Sequence, residues 1–228
     1  MKNRYLAVIS AIAFVSGELH AQVYPDAGLW STFSLEYRFN TRFSVVLDEE
    51  FRLKENFSQV NLFYTNLGAA YQPADFLKLA FTYRNVQKFR EDKSVSFRNR
   101  LMFDIILRYK FKPLAASFRT RFQGELADFY TSPNGRVPEY YMRNKLEVKY
   151  DSERRLVPYI SAEFRYQIRQ RRAPETDGLY HRARPAAGFD YKLNEHNSFG
   201  LYYLAQLEWN VSEPERLYII GIQYNLTL

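Results

Sequence analysis

The chain has no cysteine, only three histidines, and no apolar run long enough to cross a bilayer as a helix. Without cysteine there are no disulfides, no thiolate metal ligands and no lipid-bearing cysteine of a lipoprotein. A Cys/His metal cluster is absent, as are a Gly-rich phosphate loop and a nucleotide fingerprint, so neither a metal nor a cofactor is expected. The longest apolar stretch, Tyr5 to Val15, is eleven residues, against the roughly 20 that a spanning helix needs. No strongly periodic amphipathic helix is visible elsewhere.

That short apolar stretch follows Lys2 and Arg4 and precedes Leu19-His20-Ala21, an arrangement that reads as a signal peptide over residues 1–21 with cleavage before Gln22. The remaining residues, 22–228, are about 207 in number, enough for one large all-β domain. Lys and Arg number 32 against 25 Asp and Glu, a net charge of +7. In a soluble protein this would raise nucleic acid as a partner. Here both signs are spread strand by strand, and no nucleic acid is expected. What the chain has in abundance is aromatic: nineteen Tyr and nineteen Phe, which suit a bilayer-facing surface with interfacial belts.

The mature chain alternates with period two almost throughout. Phe33, Leu35, Tyr37 and Phe39 oppose Thr32, Ser34, Glu36 and Arg38. Phe97, Leu101, Phe103, Ile105 and Leu107 oppose Arg98, Arg100, Asp104 and Arg108. The last strand sets Tyr218, Ile220, Ile222, Tyr224, Leu226 and Leu228 against Gly221, Gln223, Asn225 and Thr227. Eleven such segments can be read, joined alternately by tight turns (40–41, 72–75, 112–113, 151–154, 194–196) and longer polar links (54–58, 89–94, 126–138, 169–178, 210–215). This predicts an all-β, transmembrane, antiparallel up-and-down β-barrel of about ten to twelve strands, with short periplasmic turns and longer external loops. Because bacterial single-chain barrels usually have even strand numbers, ten or twelve is favoured over eleven. A further element at residues 22–28, that segment threading the lumen, or one of the eleven not being a strand would restore parity.

Aromatic placement gives the same orientation. Tyr37, Phe43, Tyr71, Tyr109, Phe111, Tyr150 and Tyr191 cluster beside the short turns, and Phe51, Phe97, Tyr140, Tyr166 and Trp209 lie towards the long links. Two bands flanking an aliphatic middle match the girdles of a membrane barrel.

The inward phase carries charge of both signs. The pattern Glu, aromatic, Arg recurs at Glu36-Tyr37-Arg38, Glu50-Phe51-Arg52 and Glu163-Phe164-Arg165. Arg84, Arg98, Arg100, Asp104, Arg108, Arg119, Arg121, Glu125, Arg143, Lys145, Glu147, Arg182, Arg184, Asp190 and Glu208 extend this candidate lumen network. In a narrow barrel, inward side chains largely fill the interior, and buried ions must be paired to offset several kcal/mol of desolvation each. A paired electrostatic plug and a narrow anion-favouring pore are both open on this reading.

No catalytic residue is assigned. A lipid-modifying barrel of phospholipase or deacylase type would need a Ser with a nearby His base. After cleavage only His181 and His196 remain. His196 falls in a short turn, while the phase of His181 matches Ala183, Ala187, Phe189 and Tyr191, putting it on the outer rim. Such an enzyme, and a soluble periplasmic ligand-binding barrel with its apolar face inward, stand as alternatives. Arg169-Gln-Arg171-Arg172 is placed to meet lipopolysaccharide phosphates. The loop 126–138, with Phe129, Tyr130, Pro133, Asn134 and Gly135, has the length to fold inward.

The segments Gly28-Leu-Trp-Ser-Thr-Phe33, Val45-Val-Leu-Asp-Glu-Glu-Phe-Arg52 and Gly221-Ile-Gln-Tyr-Asn-Leu226, with Ala21-Gln22 before them, resemble a family of outer-membrane barrels known as domain of unknown function 2490 (DUF2490). The resemblance runs through loose strand patterns over essentially the whole mature chain. It implies a monomeric barrel in the outer membrane of a Gram-negative bacterium, and it carries no activity, cofactor or catalytic residue. Expected partners are outer-membrane lipid, lipopolysaccharide and, through the C-terminal strand, the barrel-assembly machinery.

Overall fold

A computed structural model describes residues 25–90, 92, 94–127, 136–151, 154–170 and 174–228. The expected signal peptide, Phe129, Tyr130, Pro133, Asn134 and Gly135 of the long loop, and Arg171 and Arg172 lie outside the described residues. The described residues form eleven strands: β1 (Pro25–Arg38), β2 (Phe43–Lys54), β3 (Gln59–Ala74), β4 (Leu77–Phe89), β5 (Val95–Phe111), β6 (Leu114–Leu126), β7 (Glu139–Tyr150), β8 (Leu156–Arg169), β9 (Tyr180–Lys192), β10 (Asn197–Glu208) and β11 (Arg216–Thr227). One turn of 3-10 helix, Pro174–Thr176, interrupts the β8–β9 connection.

Each strand pairs antiparallel with its sequence neighbours, and β11 returns to β1 to close the barrel. The eleven strands read from the sequence are all present, within the expected ten to twelve, and only the preference for an even number is corrected. Residues 25–28 add no separate element; they lengthen β1 at its start. An odd number of up-and-down strands leaves the first and last pointing the same way, so the closing pair must be parallel. It is: Pro25–Glu36 run in register with Arg216–Thr227. The Arg38 N–H donates to the Leu228 carbonyl and the Leu228 N–H to the Glu36 carbonyl, each at 2.8 Å.

The strands form because period-two sequences rich in β-branched and aromatic residues fit a pleated wall. Leu67, Phe81, Leu101, Leu146, Ile160 and Tyr203 point outward and are exposed, Leu67 by 61% and Ile160 by 62%. The wall is therefore apolar outside and ionic inside, opposite to a soluble ligand-binding barrel. Aromatic rings pair beside the short turns, Phe43 with Tyr71 at 4.5 Å and Tyr37 with Phe39 at 5.0 Å between centroids, and Tyr166 meets Tyr180 at 5.1 Å beside a long link. Not every aromatic joins these bands. Trp30, Tyr64, Tyr141, Tyr159 and Tyr202 point inward. Tyr202 has glycines as its cross-strand neighbours, Gly188 on β9 and Gly221 on β11. A Cβ at Gly221 would fall within the Tyr202 ring, so the small residue makes room for the large one.

At the long-loop end, Glu55, Asn56 and Phe57 take positive φ in succession (52°, 53° and 70°). The Asp26 carboxylate accepts from the Glu55 and Asn56 amides at 2.9 and 3.0 Å, fastening this strained turn to β1.

Candidate functional site

Among the described residues, inward-facing side chains line a cavity towards each end of the barrel. One, of about 800 Å³, opens towards the long-loop end and reaches deep between the strands. The other, of about 620 Å³, occupies the short-turn mouth and is lined by Glu36, Arg38, Arg42, Ser44, Lys78 and Arg108. Along the wall of the larger cavity a chain of hydrogen bonds follows one cross-strand row of β1 to β4. Ser34 donates to Asp48 at 2.6 Å, Asn66 to the same carboxylate at 3.0 Å, and the Arg84 Nε to the Asn66 carbonyl at 2.5 Å.

All the charged residues expected in the lumen lie on the inner face, and most meet a partner. Two of the three Glu-aromatic-Arg motifs pair internally: Arg38 with Glu36 at 2.9 Å and Arg52 with Glu50 at 2.5 Å. Arg121 donates to Asp104 from Nε and Nη2 along one edge of its guanidinium, at 2.6 and 2.7 Å. Arg98 and Arg100 share Glu125 at 3.3 and 2.7 Å. Lys145 meets Glu147 at 2.7 Å, Lys149 meets Asp190 at 2.7 Å, and Arg182 meets Glu208. Arg108 lines the short-turn mouth.

The third motif behaves differently. Glu163 turns from Arg165 to accept from Arg119 and Arg143, each at 2.6 Å, with Arg184 3.5 Å away. Arg184 gives two hydrogen bonds to the Gln206 carbonyl, at 2.9 and 2.7 Å. Arg165 donates from Nε to His181 Nε2 at 2.6 Å and lies 4.4 Å from the Tyr141 ring centroid.

His181 is consequently not at the outer rim, where its phase put it. Tyr166 pairs with Tyr180 and Arg165 with Arg182, so His181 is an extra residue without a cross-strand partner on β8. Such a bulge resets the alternation. It turns His181 inward, 2% exposed. His196 stays in a short turn, its Nδ1 2.9 Å from the Thr227 carbonyl oxygen.

Inward aromatics complete the cavity. Arg52 lies 3.4 Å above the Trp30 ring, with Arg184 5.3 Å from the same ring, so guanidiniums from β2 and β9 both approach the indole. Arg84 lies 3.8 Å over Tyr64, whose hydroxyl accepts from Arg52 at 2.7 Å. Cation–π contact offsets part of what these arginines lose on leaving water. Sequence phase carried a signal for these rings, since Trp30, Tyr64 and Tyr202 alternate with outward positions.

Fourteen cationic side chains and six carboxylates line the larger cavity. Four further carboxylates, Asp104, Glu125, Glu147 and Glu208, reach lining cations from within the wall. Fourteen against ten leaves four positive charges in excess. Among the described residues no group of three or more His, Cys, Asp or Glu is placed to hold a metal, and no helix is long and apolar enough to cross a membrane, which says nothing of strands.

Fold and interior together define a closed eleven-stranded barrel with a cation-rich, partly hollow lumen. The chain belongs to the family described as protein of unknown function (DUF2490), whose model matches residues 27–216. No curated protein and no solved structure matches it.

Proposed function

We propose that this protein is a monomeric outer-membrane β-barrel whose lumen is a narrow passage favouring small anions, braced by its ion pairs. The observation that carries the reading is the excess of cations around the larger cavity. A low-dielectric tube lined by one sign of charge concentrates counter-ions and excludes co-ions. The membrane placement is supported by the exposed apolar outer wall and its aromatic margins. Contiguous apolar surface on this scale needs a cover, and lipid supplies one all round. Lipid and lipopolysaccharide are then the surroundings of the wall, and the C-terminal strand is what the assembly machinery handles. The protein acts without catalysis in this reading, with His181 a wall residue.

Side chains largely fill a barrel of this size, so the expected conductance is small. The test is single-channel recording of the refolded protein in a planar bilayer, after a heat-modifiable gel shift confirms closure. Steady currents with reversal potentials favouring chloride over potassium are expected. Silence across salt and voltage, or cation preference, would overturn the reading.

A further inference from the structure

Four arginines stand side by side on one cross-strand row: Arg121 on β6, Arg143 on β7, Arg165 on β8 and Arg182 on β9. At about 4.8 Å between strands the ladder spans roughly 14 Å. Its ends are neutralised, Arg121 by Asp104 and Arg182 by Glu208. Its middle is not. Arg143 shares Glu163 with two other arginines, and among the described residues Arg165 has no carboxylate within salt-bridge distance. All four line the larger cavity, as does Arg184 beside them.

Some of the wall's cationic donors lack acceptors, although the buried Gln123 and Gln167 carbonyl oxygens are themselves unpaired. The Nε–H groups of Arg119 and Arg182 are buried with no hydrogen-bond partner among the described residues. Adjacent guanidiniums repel strongly in a low-dielectric interior, so this geometry gains from an anion that bridges them. Chloride offsets one charge; the excess is four. A compact anion carrying several charged oxygens can accept from successive arginines through their paired N–H groups. The cavity, at about 800 Å³, lies within the usual range for a small-molecule site.

We propose that the centre of the ladder, around Arg143, Arg165 and Arg184, is a binding site for a multiply charged small oxyanion of the phosphate-ester or polycarboxylate class. Such an anion enters from the long-loop end, bridges the ladder and blocks the passage of smaller anions. The blocking role rests on the channel reading above, whereas binding needs only the cavity.

The test is isothermal titration of the refolded barrel in zwitterionic detergent at low salt with sodium tripolyphosphate, and separately with citrate. One saturable site is expected, with a rise in the midpoint of the heat-modifiable gel shift, since a ligand that binds only the folded state stabilises it. The tighter of the two probes identifies the class. Arg165→Gln and Arg184→Gln, checked for closure by gel shift, should each weaken binding at least tenfold. Arg165→Lys keeps the charge without the fork and should fall between. Tripolyphosphate added to the bilayer should block chloride current in the wild type and block it far less in Arg165→Gln. No saturable binding of either probe by the closed wild-type barrel overturns the site, as does equal binding by both Gln variants. Binding without chloride current keeps the site and overturns the channel reading; chloride current without binding or block does the reverse.

Discussion

Glu163 accepts from Arg119 and Arg143 at 2.6 Å each and stands 3.5 Å from Arg184, so one carboxylate serves three guanidiniums from three other strands. Removing one member of a buried ionic cluster leaves the others uncompensated and costs about 3–5 kcal/mol. Glu163→Gln keeps the shape and an acceptor oxygen but removes the charge. It should lower unfolding stability in detergent by about 3 kcal/mol, measured by denaturant titration. The outer-wall variant Leu146→Ala serves as control and should change it much less. A Glu163→Gln barrel as stable as the wild type would show that these arginines are satisfied without the carboxylate. That Glu163 faces inward was legible from its alternation with Phe164. Its partners were not, because Arg119 is 44 residues away, and which strands' residues share a row depends on register that phase does not carry.

Elements show where alternation succeeds and where it breaks. The ten connections fall where expected, because turn chemistry and loss of period mark strand ends well, but their lengths alternate only in part: 39–42 and 55–58 are four residues each, and 151–155 is as long as 90–94. In β9 the alternation holds from Ala183 to Tyr191, but the bulge at His181 reverses it for the residue before. A single extra residue leaves no mark in the sequence, and only the pairing with β8 exposes it. β2 carries the opposite exception, a carboxylate on the apolar face. Glu49 points outward and accepts from the Thr65 hydroxyl at 2.9 Å. Asn85 and Asn99 continue the same row on β4 and β5, where Tyr83 donates to the Asn99 carbonyl at 2.7 Å. In the proposed membrane placement this polar arc interrupts the lipid-facing wall, and a charge there is unfavourable to a degree set by depth. Glu49→Leu should therefore stabilise the barrel in phosphatidylcholine vesicles by about 1 kcal/mol, read from unfolding followed by tryptophan fluorescence. Destabilisation would mean that Glu49 contributes more through Thr65 than lipid exposure costs.

At the scale of the whole molecule, eleven strands require a parallel seam, and general experience of even-numbered bacterial barrels pointed away from it. The strand count itself was legible; the closure was not, because no local pattern shows which edge meets which. The absence of cysteine makes the seam directly testable, since any disulfide must come from introduced residues. Ser31 and Ile222 are cross-strand partners between β1 and β11 and both lie on the outer face. Paired strands stand about 4.8 Å apart, within the roughly 4.4–6.8 Å between Cα atoms that a disulfide spans. Ser31→Cys with Ile222→Cys should cross-link on mild oxidation, and the product should keep its folded mobility at temperatures that unfold the reduced form. Ser31→Cys with Tyr224→Cys sets the cysteines on the diagonal, about 7–8 Å apart, and should cross-link poorly. If the second pair closes as readily as the first, the register is displaced. If neither closes while the barrel still shifts on heating, β1 does not complete the wall, and the lumen must accommodate it or be bounded by the other ten strands alone.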